Sequence, residues 1–313
     1  MDKENIKKCL IIYNPNSGKG TVSKYLEDVK QLIFKKNYEI VDIIATKGRG
    51  DATDIVENYP YVDLVMSFGG DGTFNEIING NFKRKEQLLL THIPVGTTND
   101  IGTMFGYTKD IIKNVKMSLE GVEKEIDIPQ INNRSFIYVA GFGKYTNISY
   151  DTPREIKKII GHLAYVKEGV IAFFSKTKLY NIDYKINGKD YHGLFSLVLI
   201  SNANHIAGIN NLYKDIKLND NLLEVMFCTF PTRKAIVKAF CLLKMYGPEK
   251  VPGLYFYRTN KIEMTINDDH KPFCIDGEKL SSNPLEKYTI EIPKNRPRAR
   301  ILVPKKNAKK LFD

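Results

Sequence analysis

Apolar and polar positions follow two rhythms along this chain, and the change between them falls near Asp127. In the first part, short apolar runs alternate with segments of helical spacing. Lys8 to Tyr13 reads as a strand and ends in the loop formers Asn14 to Gly20. Val22, Leu26, Val29 and Ile33 then recur as one face of a helix. Tyr38 to Thr46 predicts a second strand, Asp51 to Asn58 a short helix, and Val62 to Ser67 a third strand. That strand runs into Phe68-Gly69-Gly70-Asp71-Gly72-Thr73 and a helix through Asn75, Ile77 and Ile78. Leu88 to Val95 predicts a fourth strand, closed by Gly96. Strands alternating with helices predict a parallel sheet with helices on both faces, and such sheets bind ligands at the carboxyl ends of their strands. Three polar, glycine-bearing loops stand at those ends.

Beyond Asp127 the helical period gives way to strands in series: Ile128 to Val139, Leu179 to Ile186, Tyr191 to Ser201, Leu222 to Phe230, Leu254 to Tyr257, Lys261 to Ile266 and Tyr288 to Ile292. Asn187-Gly188 and Asp276-Gly277 mark turns between strands, and helical patterns cover Arg154 to Phe174 and Thr232 to Met245. This texture predicts a mainly antiparallel, sandwich-like second domain. The expected division is 1–127 and 128–294, with 295–313 completing the first domain through the apolar run Ile301, Leu302 and Val303. A length of 313 residues agrees with two domains at roughly 150 residues each.

Composition narrows the class. No apolar run approaches the roughly 20 residues of a spanning helix, and the N-terminus lacks the apolar stretch of a signal peptide. The expectation is a cytoplasmic protein. The four cysteines form no Cys-x-x-Cys pair, which argues against a zinc site or a disulfide framework. The net charge is +11. Between Lys294 and Asp313 eight cations face one acid, a net +7, leaving +4 for the rest. A basic end suits an anionic membrane surface or nucleic acid, and equally a solvated tail.

The sharpest chemical signal is Gly69-Gly70-Asp71-Gly72-Thr73. Glycines leave backbone N–H groups open to an oxyanion, and the helix that follows adds its partial positive charge. Asp71 fits beside phosphates if Mg²⁺ or an ordered water lies between them; as plain structure it is a capping residue. Asn14 to Gly20 is a second candidate, although Tyr13 stands where a P-loop needs glycine. Gly18-x-Gly20-x-x-Ser23 lacks the third glycine of a dinucleotide fingerprint, so an oxidoreductase would leave the Gly69 loop unexplained. Gly96-Thr97-Thr98-Asn99-Asp100 offers hydroxyls to phosphate, or simply caps a helix. Asp276-Gly277-Glu278 reads as a hairpin turn on spacing and as an acid pair on chemistry.

In this order the motifs resemble the soluble bacterial diacylglycerol kinase family. Asn14-Pro15-x-Ser17-Gly18, Gly50-Asp51-Ala52, Gly69 to Thr73 with Asn75 and Glu76, and Gly96-Thr97-x-Asn99-Asp100 are similar to its nucleotide-binding half. Lys158-x-x-Gly161-x-x-Ala164-Tyr165, Ser201-Asn202 and Asp276-Gly277-Glu278 are similar to its second half. The resemblance implies the diacylglycerol kinase/NAD kinase-like fold and an ATP-dependent lipid kinase with its reacting phosphate in a two-domain cleft. Diacylglycerol would become phosphatidic acid; the alternative is another acceptor, a sphingoid base, other lipid or NAD. It implies an ATP site from Asn14, Pro15, Asn16, Ser17, Gly18, Thr46, Gly69, Gly70, Asp71, Gly72, Thr73, Phe74, Asn75, Thr97 and Asp100. A catalytic Mg²⁺ would lie near Asp71, with Asp100 and Asp127 extending a carboxylate–water–metal network. A structural Mg²⁺ would sit on the Asp220 carboxylate and the carbonyls of Lys217 and Leu222. Asn221 departs from the usual glycine there, and Ala207-Gly208 from two glycines. Asp276 or Glu278 would be the general base. The expected partners are ATP, a second copy of the chain and a lipid at the inner membrane surface, with Lys157 to Ile160 and the basic tail in contact with it. No nucleic acid is expected.

Overall fold

The computed structural model describes residues 6–20, 22–143, 178–203, 205–206, 209–210, 213, 215–230, 235, 239, 242–243, 245–268, 272–280, 286–296 and 298–312. The expected helix Arg154 to Phe174, the motif Lys158 to Tyr165, the segment Lys157 to Ile160 and Ala207-Gly208 lie outside the described residues. The chain divides into two compact units, 1–126 with 297–313, and 127–296.

The first unit contains β1 (Lys7–Tyr13), α1 (Val22–Phe34), β2 (Tyr38–Ala45), α2 (Asp51–Asn58), β3 (Leu64–Gly69), α3 (Asp71–Phe82), β4 (Leu90–Pro94), α4 (Asp100–Met104), α5 (Ile111–Leu119) and β5 (Val122–Ile126). The C-terminal strand Ala299–Val303 enters the same sheet, whose order is β2-β1-β3-β4-(299–303)-β5. Every pairing is parallel except that of β5 with the C-terminal strand. β5 escapes the sequence pattern because charged Glu123, Lys124 and Glu125 fill an antiparallel edge strand. The fourth strand starts later than its apolar run, since the Asn81 side chain takes both backbone groups of Leu88. β3 is buried throughout and β1 from Cys9 to Ile12, as strands covered on both faces must be. Val22, Val29 and Ile33 of α1 pack with Cys9, Ile11, Leu64, Met66 and Phe68 in one core.

The second unit carries β6 (Gln130–Ile131), β7 (Arg134–Ser135), β8 (Val139–Gly143), β9 (Tyr180–Ile186), β10 (Lys189–Phe195), β11 (Leu197–Ser201), β12 (His205–Ile206), β13 (Ile209–Asn210), β14 (Leu223–Cys228), β15 (Leu254–Thr259), β16 (Lys261–Ile266), β17 (Cys274–Ile275), β18 (Glu278–Lys279) and β19 (Lys287–Glu291). Two six-stranded sheets result, β10-β9-β16-β19-β6-β7 and β15-β14-β11-β8-β17-β18. Ile182, Tyr184, Ile262 and Ile290 of the first share a core with Phe142, Val198, Val225 and Phe227 of the second. The run Ile128 to Val139 is three short strands rather than one, broken at Asn132, which turns with φ +50°.

The C-terminal strand becomes β20 (Ala299–Val303) and precedes α6 (Lys305–Phe312). The basic tail is therefore ordered. Ala308, Leu311 and Phe312 are buried, while Lys305, Lys306, Lys309 and Lys310 are exposed.

Candidate active site

In the first sheet the chain leaves β1 for β2 on one side and for β3 on the other, which makes the carboxyl ends of β1 and β3 the topological switch point. The loops after both strands meet there. The Asn14 N–H continues the ladder to the Phe68 carbonyl (2.9 Å), and the Thr46 N–H does so to Tyr13 (2.9 Å). Asn14 Nδ2 reaches the Thr73 hydroxyl at 3.4 Å, and Asn14 Oδ1 accepts the Asn16 N–H at 2.9 Å. Gly18 turns the first loop at φ +57°. Asn14 is thus brought to Thr73 and to the end of β3, and Thr46 to the end of β1.

The loop after β4 joins them. A side chain on Gly96 would begin 2.7 Å from the Gly70 Cα, so the two glycine loops touch backbone to backbone. Gly70 is extended, and α3 starts at Asp71 with its N-terminus at this contact. Thr97 is exposed beside it. Asn99 adopts the left-handed conformation (φ +54°) and its Nδ2 bonds the Gly96 carbonyl at 2.7 Å. Behind the loops, Glu76 Oε1 accepts the Gly50 N–H at 2.9 Å, and the Thr53 hydroxyl donates to the Glu76 carbonyl. That ties α2 to α3.

Two expected site residues stand differently. Asp71 is buried, and its carboxylate accepts the N–H groups of Asp100 (3.0 Å) and Ile101 (3.1 Å), the first two of α4. It caps a neighbouring helix and orients the Gly96–Asp100 loop. Phe74 is buried in the core, stacked on His92 at 4.7 Å, and its N–H bonds the Gly70 carbonyl. Its side chain packs α3 on the sheet and does not line the loops.

In the second unit Asp276 and Gly277 are both left-handed (φ +47° and +84°), joining Ile275 to its register partner Glu278. This is the primed two-residue hairpin that Asp-Gly favours. The buried Asp276 carboxylate accepts the N–H groups of Ile137 (2.6 Å), Tyr138 (3.1 Å) and Val139 (3.1 Å). The hairpin and the acid are therefore one device: the side chain anchors the turn to the segment before β8. Glu278 is half-buried on the edge strand β18, its Oε2 bonded to Arg134 Nη2 at 2.9 Å. Arg134 had no signal in the sequence, being 144 residues away from its partner.

The segment expected to hold a structural Mg²⁺ has the right kind of turn but not an open donor set. Asn221 is left-handed (φ +58°), and its N–H bonds Asp127 Oδ2 at 2.7 Å. Asp220 Oδ1 accepts the Leu222 N–H (3.0 Å), and Oδ2 accepts from Arg258 Nη2 (2.8 Å). Arg258 Nε also donates to Glu224 Oε1 at 3.2 Å. Burial raises the Asp220 carboxyl and pushes that of Glu224 up to about 8, against the pull of Arg258 on both. Both Asp220 oxygens carry a donor, the Leu222 N–H on one and the Arg258 guanidinium on the other. With a guanidinium seated on its Oδ2, Asp220 as placed does not offer Mg²⁺ the unshared hard-oxygen ligand that the ion demands at about 2.0–2.1 Å. Asp100 and Asp127 are both buried, but in different units.

Comparison with known proteins gives the same picture. Residues 8–131 match the family described as the diacylglycerol kinase catalytic domain. A protein named diacylglycerol kinase from Bacillus subtilis (strain 168) is 30% identical over 276 residues, covering 87% of this chain and 90% of its own. One of the same name from Staphylococcus aureus (strain JH9) is 35% identical over 285 residues, covering 88% and 89%. A crystal structure of a diacylglycerol kinase from Bacillus anthracis str. Sterne superposes with a TM-score of 0.77 at 23% identity, over 96% of this chain and 98% of that one, and shows the shared fold.

Proposed function

The chain belongs to the diacylglycerol kinase family, and from that premise we propose that it transfers the γ-phosphoryl group of ATP to the hydroxyl of diacylglycerol, giving phosphatidic acid. The observation that carries this reading is the contact of Gly70 with Gly96 at the switch point. Two loops that meet at glycines, together with the start of α3, form a cradle for a polyphosphate. The main-chain N–H groups of this cradle hold the phosphates, and Asn14, Thr46, Thr73 and Thr97 supply polar contacts around it. Asp71 fixes the Gly96 loop through α4. Phosphoryl transfer is mostly positioning and charge neutralisation, so this scaffold does much of the work. Mg²⁺ carried in with ATP would shield the phosphate charge.

Of the two acids in the hairpin, Asp276 is the anchor and Glu278 the general base. The support is geometric: the Asp276 oxygens serve three main-chain donors, whereas Glu278 is partly exposed and oriented by Arg134. The same reading places the enzyme at a membrane surface as a homodimer. No described helix is long and apolar enough to cross a membrane, and the exposed lysines of α6 suit an anionic surface.

The test is transfer of labelled phosphate from ATP with Mg²⁺ to diacylglycerol, monoacylglycerol, sphingosine, phosphatidylglycerol and NAD. Label on diacylglycerol is expected. Glu278→Gln is expected to lose about 10²–10⁴ in turnover with its unfolding temperature unchanged. Label on another acceptor replaces the substrate, and near-normal turnover of Glu278→Gln removes Glu278 from the chemistry.

A further inference from the structure

We infer that Arg258 closes the Asp220 loop in place of a divalent cation, so that the second unit folds without one. This stands apart from the kinase reading, since it concerns the fold of that unit alone. The geometry begins with register. Glu224 of β14 and Arg258 of β15 are direct cross-strand partners, which sets the guanidinium beside the Glu224 carboxylate whenever the sheet forms. Asp220 lies four residues before Glu224, just ahead of the strand, and offers its Oδ2 to the same guanidinium. One planar fork therefore spans two carboxylates, through Nε at 3.2 Å and Nη2 at 2.8 Å.

Glu224 is 1% exposed and its Oε2 has no hydrogen-bond partner, so the arginine is what compensates this acid. The rest of the loop is held by main-chain donors: Leu222 N–H on Asp220 and Asn221 N–H on Asp127. A divalent ion on Asp220 would have to displace Arg258 or stand against its charge. Either way Glu224 would lose the guanidinium N–H that its Oε1 accepts, or share it with a competitor. A permanent charge on the protein also needs no dehydration of a tightly hydrated ion.

The experiment is thermal unfolding of the full chain, free of nucleotide, in EDTA and in excess Mg²⁺, together with metal analysis and Mn²⁺ titration followed by electron paramagnetic resonance. The wild type is expected to unfold at the same temperature in both solutions and to retain no stoichiometric metal. Arg258→Met keeps the stem but removes the charge. It is expected to unfold at least roughly 2–4 °C lower, and to regain part of that loss in Mg²⁺ as the two carboxylates become open to a cation. Arg258→Lys restores a charge and is expected to depend on Mg²⁺ less than Arg258→Met does. A wild type that loses stability in EDTA and recovers it in Mg²⁺, or that binds one Mn²⁺ tightly, overturns the inference. So does an Arg258→Met protein as stable as the wild type. Should Arg258→Met fail to fold, the wild-type measurements decide alone.

Discussion

Asp71 and Asp276 lie in different units and on different kinds of backbone, yet both are buried and both turn their carboxylates toward main-chain N–H groups. Asp71 begins an α-helix and reaches across to cap a second one. Asp276 sits left-handed in a hairpin and gathers three successive donors, Ile137, Tyr138 and the first residue of β8. Asp220 and Glu224 solve the burial of charge in another way, through one arginine. The comparison teaches that a buried acid in a glycine-bearing turn is satisfied by main-chain donors from a distant segment. In both glycine motifs the aspartate holds a loop in place through those bonds.

Removing each aspartate tests how far the parallel goes. Asp276→Ala leaves three donors without their acceptor and places alanine in a left-handed turn. An unfolding free energy lower by roughly 3 kcal/mol or more is expected by urea titration. Asp71→Ala strips two donors and disturbs no left-handed residue, so a loss of roughly 2 kcal/mol is expected. Equal losses would mean that the hairpin backbone adds nothing to the difference.

An effect tied to pH, spread over several pH units, separates the two cores. His92 is fully buried with neither ring nitrogen bonded, and burial depresses it to about 3. Its neighbour in the ladder, Ser67, is likewise buried with its hydroxyl unpartnered. The unfolded chain takes a proton on this histidine below about pH 6.5, while the folded chain does not. Stability is therefore full above pH 6.5 and falls by about 1.4 kcal/mol per unit as the pH drops toward 3. His92→Phe is expected to remove that one-proton slope from the urea midpoints; an unchanged slope would place the acid sensitivity elsewhere. Smallest of all, Asn221→Gly is expected to change stability by less than about 0.5 kcal/mol, since Asn221 already holds the left-handed turn at the surface. A large loss would show that its side chain, not its backbone, carries the loop.

Much of this was legible in the chain. The strand–helix alternation before Asp127, the strands after it, and the four loops with their glycines stand in the pattern itself. The Asp-Gly pair announced a hairpin because few residues accept two left-handed positions. Other features had no local trace. β5 hid behind its charges, and the run from Ile128 to Val139 concealed a turn at Asn132. The hydrogen bonds of Asp71 and Asp276 come from donors 29–30 and 137–139 residues away. Arg134 and Arg258 looked like ordinary surface cations.

The sequence by itself determined the order of elements, the parallel and antiparallel halves, and the places where backbone must bend to left-handed values. These follow from side-chain period and from steric limits at single residues, and both are local. Only the tertiary structure decided which carboxylate meets backbone, which meets arginine and which stays near solvent. A buried charge takes whatever donor the folded chain brings within about 3 Å, and that choice is made by sheet register and loop packing, which no single stretch of sequence contains.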